Sequence, residues 1–146
     1  MFEKDIFQDC KKKGLLFNTQ DIDILKIKSI LKNAETDFRT ANFLLENKKE
    51  SVSSIYKLYY DALHEITTAF ILFDKIKSYN HQCLFAFLCN KYRFDLNIFE
   101  KIRIKRNRIS YYGEILSSSE FNFLINCIQH NYKKLHAKIE KKLSIR

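Results

Sequence analysis

Residues 52–73 have the sequence VSSIYKLYYDALHEITTAFILF, and this stretch decides the fold class. Its apolar side chains recur at steps of three and four residues, which is the period of an α-helix. The apolar arc is wide, so this helix should be central and buried on several sides. We predict a long helix from Val52 to about Lys77, with apolar positions at Ile55, Leu58, Tyr59, Ala62, Leu63, Ile66, Ala69, Phe70 and Phe73.

The composition favours long helices along the whole chain. Its 146 residues include no proline and only two glycines, and these two residue types are the strongest breakers of regular structure. The length is that of one domain, and a hydrophobic content of 46% is enough for one ordinary core. Thirteen phenylalanines and eight tyrosines predict a core built largely from aromatic rings together with isoleucine and leucine.

The first third of the chain contains a second amphipathic pattern. Apolar residues at helical spacing run from Gln20 to about Lys48, and Thr19 is a suitable N-cap for that helix. Residues 1–18 read as an N-terminal arm or a short helix that ends near Gly14.

The C-terminal half predicts three more helices. A short apolar one covers about 81–91, a second covers about 96–112, and a last one covers about 119–143. Asp95 is the expected N-cap of the second of these, and Gly113 is its expected end. The prediction is therefore a single all-α domain over residues 1–146, an antiparallel up-and-down bundle of four to five helices.

The positive charge is concentrated in the C-terminal two thirds. The chain carries 26 basic and 17 acidic residues, a net charge of +9. Residues 1–50 hold 10 basic and 9 acidic side chains, and residues 51–146 hold the remaining 16 and 8. An excess of this kind favours an anionic partner such as RNA, DNA or a nucleotide, and it equally fits a role in solubility alone.

The cysteines show no metal-binding pattern. Cys10, Cys83, Cys89 and Cys127 form no Cys-x-x-Cys pair, and no histidine pair has zinc-finger spacing. Cys83 and Cys89 flank an apolar run and are expected to be small buried side chains. Because we find no apolar leader and no apolar run near the ~20 residues of a membrane span, we predict a reduced, soluble, cytoplasmic protein without metal or cofactor.

The stretch Lys101–Gly113 is the candidate functional segment. It contains five cationic side chains, no anionic one, two adjacent tyrosines and one of the two glycines. On a helix its polar residues form two neighbouring rows at i, i+4 spacing, which are Arg106 with Ser110, and Arg103 with Asn107 and Tyr111.

The residue types in these rows suit a phosphate and a base. Arg106 offers a planar fork that can hold a phosphate through two hydrogen bonds, and Asn107 can both donate and accept. Tyr111 offers a hydroxyl and a ring on which a base can stack. The further candidates for RNA or nucleotide binding are Arg103, Lys105, Arg108, Ser110 and Tyr112.

Two structural interpretations stay open beside the functional one. The basic residues can form an ordinary solvated face, or Arg106 and Asn107 can clamp two helices together by bonding to Asp61 or Glu65. In the functional reading, Asp61 and Glu65 support the site by orienting Arg106.

The four histidines carry less information. His64 can reach the site from the central helix, although a half-buried histidine with its hydrogen bonds satisfied is the favoured reading. His81 reads as a turn or cap residue, and His130 and His136 as surface residues. No metal-ligand cluster, Gly-rich phosphate loop or Ser/His/Asp set is present in the sequence.

Three stretches, in order and spacing, resemble the HEPN superfamily (higher eukaryotes and prokaryotes nucleotide-binding domains). They are Ala34–Asp37 with Ala41–Leu45, then Tyr59–Glu65 leading to a turn at Tyr79–His81, and finally Arg106–Gly113. The last resembles the family signature, an Arg often followed by Asn and then, four to six residues later, a His. Together they span residues from about 30 to 115.

The resemblance implies an activity. Many HEPN proteins are metal-independent endoribonucleases in which two protomers face each other through this signature, and many are toxins or defence factors. Other members pair with a minimal nucleotidyltransferase, which neutralises them, in some cases by modifying a tyrosine next to the motif. The resemblance thus implies a homodimer that binds RNA or a nucleotide.

Carried over to this chain, the implied catalytic set is Arg106, Asn107 and Tyr111. The first two match the signature, whereas Tyr111 stands where a histidine is expected, which gives an Arg-Asn-x3-Tyr motif. A tyrosine with an ordinary pKa near ~10 is a poorer base at neutral pH than a histidine near ~6.5.

Three functions follow as expectations. The first is an RNA-binding endoribonuclease of the toxin or defence kind. The second is a weak or inactive partner subunit of a nucleotidyltransferase, which is modified on, or binds nucleotide near, Tyr111 or Tyr112. The third is a helical interaction module that uses a basic face including Lys133 and Lys134.

Overall fold

Six α-helices carry most of the chain in a computed structural model, which describes residues 3–48 and 50–146. They are α1 (Glu3–Lys12), α2 (Ile24–Asn47), α3 (Val52–Ile71), α4 (His81–Tyr92), α5 (Leu96–Tyr112) and α6 (Ser118–Ser144). Two short strands, β1 (Phe17–Asn18) and β2 (Ile76–Lys77), pair in antiparallel fashion. The all-α bundle is confirmed, with one helix more than the four to five expected.

Helix α3 is the centre of the fold, as its wide apolar arc predicts. It packs against α2, α4, α5 and α6. The largest fully buried side chains are mostly aromatic and include Tyr56, Tyr59, Tyr60, Phe70, Phe85 and Phe99. Burying a side chain of this size stabilises a fold by about 1.5–3 kcal/mol, so these rings supply much of the core stabilisation.

Buried tyrosine hydroxyls connect α3 to its neighbours. The Tyr56 hydroxyl donates to the backbone oxygen of Ile102 in α5 at 2.7 Å. The Tyr59 hydroxyl donates to Asn42 of α2, and it accepts from Gln129 of α6 at 3.1 Å. A buried hydroxyl without a partner is costly, so these contacts fix the rotation of α3 relative to three other helices.

Helix α5 has the bounds that its sequence predicts. The side chain of Asp95 accepts from the backbone N–H of Asn97, and the helix ends at Gly113, whose φ is +65°. This left-handed conformation costs a glycine little and other residues more, which is why the helix ends there. The bounds matter because α5 carries the candidate segment.

Helix α2 begins later than expected. The prediction of Thr19 as its N-cap is wrong, because Asp23 accepts from the backbone N–H of Lys26 and the helix starts at Ile24. Thr19 instead continues the β1 pairing, with its N–H donating to the oxygen of Lys75 at 2.9 Å.

Helix α3 also ends earlier than the predicted Lys77. It stops at Ile71, a 3-10 turn follows over Leu72–Asp74, and Lys75 adopts a positive φ of 60°. This change of direction lets β2 pair with β1, although neither glycine nor proline marks the turn.

The N-terminal segment contains a short helix, α1, rather than only a flexible arm, which decides between the two alternatives given for residues 1–18. Helix α1 packs against α4 and is followed by Gly14 with a φ of +66°. Residues 1 and 2 lie outside the described residues.

A disulfide joins α1 to α4, between Cys10 and Cys83. Both residues are buried, as expected for Cys83, but the prediction of a fully reduced chain is wrong for this pair. The two positions are 73 residues apart, and no local spacing indicates their pairing. None of the described helices is both long and apolar enough to cross a membrane.

Breaking this disulfide should lower the free energy of unfolding by about 2–4 kcal/mol, because the cross-link restricts the unfolded chain. Urea titrations of wild type with and without reductant, and of Cys10→Ser, should show this loss. Cys127→Ser is the control, since Cys127 is a free thiol, and its unfolding midpoint should stay at the wild-type value. Equal midpoints for Cys10→Ser and oxidised wild type would contradict the cross-link.

Candidate functional site

Helices α3, α4 and α5 bring four side chains together at one place, which we call the Tyr60 cluster: Tyr60, His64, His81 and Arg106. The guanidinium carbon of Arg106 lies 5.3 Å from the centroid of the Tyr60 ring. The Tyr60 hydroxyl is 2.8 Å from Nδ1 of His81. The rings of His64 and His81 lie 4.0 Å apart between centroids.

Arg106 is held in place without an ion pair. One guanidinium nitrogen donates to Oδ1 of the neighbouring Asn107 at 3.3 Å. Among the residues that the structure describes, no carboxylate oxygen lies within 4.0 Å of the Arg106 guanidinium. The expected bond from Arg106 to Asp61 or Glu65 is therefore not formed. The charge of Arg106 acts on Asp61 only through space, where it partly opposes the rise in the Asp61 pKa that burial causes.

Arg103 lies beside the cluster with its charge compensated. Its guanidinium donates twice to Glu100, at 2.9 and 3.0 Å, and Glu100 also accepts from Gln82 of α4 at 2.9 Å. Such a two-bond pair is geometrically well defined and ties α5 to α4. Because Glu100 offsets its charge, Arg103 contributes less positive potential at this site than its presence in the basic run predicts.

Lys105 does not fit the predicted role in binding RNA. It is buried, and its ammonium group bonds to Glu114 and, at 2.9 Å, to Glu120. Two carboxylates offset its charge, so Lys105 joins the end of α5 to the start of α6. A basic run in the sequence cannot show that one of its members points inward.

The other predicted residues of α5 lie at the surface. Arg108 and Ser110 are exposed, and Tyr111 and Tyr112 are 72% and 83% exposed. Within the described residues, no hydrogen bond or ring contact joins Tyr111 to Arg106. Of the predicted catalytic set, the structure therefore brings Arg106 and Asn107 together and leaves Tyr111 apart within the single chain.

His64 is not the satisfied histidine that the sequence favours. Its Nε2 is buried and has no hydrogen-bond partner. Burial, followed by the nearby His81 and Arg106, lowers the pKa of His64 to about 3. His64 is therefore neutral at physiological pH, because a buried imidazole loses the hydration that its charged form needs.

His81 is the first residue of α4, behind the N-cap Asn80, whose side chain accepts from the N–H of Cys83 at 2.9 Å. Burial and the charges of Arg106 and Arg103 hold the pKa of His81 below its ordinary value. The reading of His81 as a turn residue missed its contact with Tyr60. No spacing in the sequence indicates that His81 and Arg106 lie near each other. The sequence indicates only that Tyr60 and His64, four residues apart, lie on the same face of one helix.

Tyr60 is fully buried, and burial raises the pKa of its hydroxyl despite the opposing charge of Arg106. The hydroxyl therefore stays protonated, and the oxygen can accept a hydrogen bond from an imidazole N–H.

Carboxyl groups of α2 and α3 form a second cluster near Arg106. Burial, a hydrogen bond to Asp37, and the charges of Asp37 and Asp61 raise the pKa of Glu65 to about 8. Near neutral pH Glu65 thus largely keeps its proton, and the cluster carries less negative charge than three carboxylates would.

This raised pKa predicts a pH-dependent stability. From the ordinary Glu value of 4.5 up to about 8, folded Glu65 keeps a proton that the unfolded chain has released. Stability is therefore lost as the pH rises through this window. Glu65→Gln should stabilise the fold more at pH 8 than at pH 5, by about 1 kcal/mol, because the partly exposed side chain yields less than its full pKa difference.

Thermal unfolding at both pH values measures this effect. Glu46→Gln, at an exposed position of α2, is the control and should shift both melting temperatures equally. The same shift at both pH values for Glu65→Gln would contradict the assignment.

One group of metal-ligand type occurs among the described residues, away from α5. Ligand atoms of Glu35, His136 and Glu140 lie within 4.8 Å of one another. His136 is partly buried and bonds to Glu35 at 2.8 Å, so it is not the simple surface residue predicted. The hydrogen bond alone accounts for this arrangement.

No protein-family model, curated protein or solved structure matches the chain. The resemblance to the HEPN superfamily remains a prediction from three stretches of sequence. The geometry of the Tyr60 cluster is therefore the main evidence on function.

Proposed function

We propose that the protein is a dimeric, HEPN-like RNA-binding protein that cleaves RNA without a metal ion, as a toxin or defence component. The observation that carries the proposal is the state of Arg106. Its guanidinium is half-buried, held over the Tyr60 ring, and free of any ion pair within the described residues. An anion is the missing partner that such a group favours.

A phosphodiester fits this position better than a carboxylate side chain. A phosphodiester presents its two non-bridging oxygens to the Arg106 fork, and the Asn107 amide can donate to a remaining lone pair on one of them. The net charge of +8 on residues 51–146 attracts a polyanion over longer range. The neutral imidazole of His81 beside the guanidinium supplies a group that can accept a proton.

Cleavage at this site needs no metal. The RNA 2′-hydroxyl attacks the adjacent phosphorus, and the bond from phosphorus to the 5′-oxygen breaks. Arg106 stabilises the charge that develops on the phosphate oxygens. The products are a 2′,3′-cyclic phosphate and a 5′-hydroxyl end.

The homodimer completes the site in this proposal. Tyr111 and Tyr112 are exposed and make no contact with Arg106 within one chain. Two copies that face each other through α5 bring these tyrosines of one protomer to the phosphate held by its partner. There the rings can stack on a base, and the Tyr111 hydroxyl can orient the 2′-hydroxyl.

Replacing Arg106 tests the proposal. Arg106→Ala should lower the rate of single-stranded RNA cleavage in EDTA by about 10²–10³-fold, because it removes the group that stabilises the developing charge. Arg108→Ala is the matched control: the same change on the same helix, at an exposed position, should weaken RNA binding modestly at low salt and leave the cleavage rate at saturating RNA close to that of wild type. Equal cleavage by wild type and Arg106→Ala would remove the catalytic role of Arg106.

A second function is favoured by the exposure of the two tyrosines. At 72% and 83% exposure, Tyr111 and Tyr112 are open to a modifying enzyme. We propose as the alternative that the chain is the partner subunit of a minimal nucleotidyltransferase. This enzyme would transfer a nucleoside monophosphate from a nucleoside triphosphate to one of these hydroxyls and release pyrophosphate.

Intact-mass spectrometry after incubation with a co-encoded nucleotidyltransferase and ATP tests this alternative. We expect a mass increase of one nucleotide that is lost in Tyr111→Phe or in Tyr112→Phe, which also identifies the acceptor. Tyr79→Phe is the control, since Tyr79 is similarly exposed at 77% and lies outside the motif. An unmodified wild-type chain, or one modified equally in both variants, argues against this function.

The cytoplasmic location is also a proposal. The disulfide between Cys10 and Cys83 weighs against it, because disulfides are rare in reducing compartments. Alkylating free thiols at the moment of lysis, followed by peptide mass spectrometry of Cys10 and Cys83, shows which state the cell maintains.

A further inference from the structure

We propose that His81 is the proton-transfer residue of this site, positioned by Tyr60 and His64. The proposal rests on the ribonuclease function above and assigns the base that Tyr111 does not supply. The sequence reading gave His81 no role, and the assignment comes from the packing of α4 against α3 and α5.

The contact between Tyr60 and His81 orients the imidazole. Its Nδ1 lies 2.8 Å from the Tyr60 hydroxyl. In the tautomer whose Nδ1–H donates to the Tyr60 oxygen, Nε2 keeps a lone pair that can accept a proton. Tyr60 belongs to the buried face of α3, so its hydroxyl is a fixed point for the ring.

The free nitrogen of His81 is open to solvent. Among the described residues, the one buried side-chain nitrogen or oxygen atom without a partner is Nε2 of His64. Nε2 of His81 also has no protein partner, and it is not among the buried atoms, so it reaches water. His81 is also the less buried of the two imidazoles, so we assign the contact with RNA to His81.

The surroundings of His81 keep it ready to act as a base. Tyr60 and His64 of α3 lie next to the His81 ring. Burial, together with the charges of Arg106 and Arg103 on α5, lowers the pKa of His81. Among the described residues, no carboxylate oxygen lies within 4.0 Å of its ring nitrogens, and its place at the positive N-terminus of α4 further disfavours the protonated form. His81 is therefore neutral before RNA binds.

His64 supports the ring from behind. Its neutral imidazole lies 4.0 Å from that of His81, and a T-shaped contact with Phe85 at 6.2 Å holds it in the core. Its buried Nε2 has no partner among the described protein atoms. His64 acts through His81 and is a positioning residue.

His81 removes a proton from the RNA and later returns it, so its own protonation state is restored. Nε2 takes the proton of the RNA 2′-hydroxyl while the 2′-oxygen forms its bond to phosphorus. The bond from phosphorus to the 5′-oxygen breaks, and the leaving oxygen takes a proton from water. The protonated His81 then returns its proton to the resulting hydroxide, so no other reactant is consumed.

The test uses the full-length protein and a single-stranded RNA oligonucleotide of mixed sequence, with its 2′-O-methyl analogue as an uncleavable binding probe. His81→Ala should lower the cleavage rate by about 10²–10⁴-fold. Its dissociation constant for the analogue should stay within about threefold of wild type. Added imidazole should restore part of the rate, which a purely structural loss would not allow.

Further variants keep the test independent of folding defects. Tyr60→Phe keeps the ring under Arg106 and removes only the hydroxyl. It should reduce the rate and move the acid limb of the pH–rate profile to lower pH, because protonated His81 loses an acceptor. His81→Gln provides a second replacement if His81→Ala unfolds, and the exposed His130→Gln is the control expected to match wild type.

Each outcome separates this inference from the proposed function. If Arg106→Ala is inactive while His81→Ala and His81→Gln cleave like wild type, His81 has no role and the ribonuclease proposal stands. If wild type binds RNA and leaves it intact at every pH, the ribonuclease proposal fails and the role of His81 fails with it. A rate loss in His81→Ala without imidazole rescue, together with an unchanged pH profile in Tyr60→Phe, would also overturn the assignment.

Discussion

The candidate site depends on the contacts that Tyr60 makes with Arg106 and His81. Tyr60 is fully buried on the central helix, the face of its ring lies under Arg106, and its hydroxyl meets His81. A cation above a ring is worth about 0.5–2 kcal/mol, enough to hold a guanidinium without neutralising it. A carboxylate in the place of this ring would hold Arg106 equally well and would remove its attraction for a phosphate.

Local signals in the sequence predict those elements whose limits are set locally. Helix α5 starts after Asp95 and ends at Gly113 because a side-chain cap and a left-handed glycine act within one turn of the helix. The end of α3 has no such signal. Lys75 adopts a positive φ although it is not a glycine. The turn there allows β2 to pair with β1, which lies far away in the sequence.

The same distinction explains which part of the site was predictable. Arg106 and Asn107 are adjacent, and their side chains interact within one helix. His64 and His81 meet because α3 and α4 pack, and Lys105 turns inward because two glutamates beyond α5 receive it. Contacts between helices depend on rotation and register, which a helical period leaves undetermined.

Arg106 differs from the rest of the basic run because it is partly buried and has no ion pair within the described residues, whereas Lys101 and Arg108 are exposed to solvent. Glu100 offsets Arg103, and two glutamates offset Lys105, whereas the aromatic ring under Arg106 leaves its charge in force. The proton that Glu65 keeps near neutral pH also makes the cluster of Asp37, Asp61 and Glu65 less negative. A net charge of +9 therefore describes long-range attraction of a polyanion. In the proposed function, the specific binding of one phosphate depends on Arg106, which is the one partly buried guanidinium among the described residues that has no ion pair.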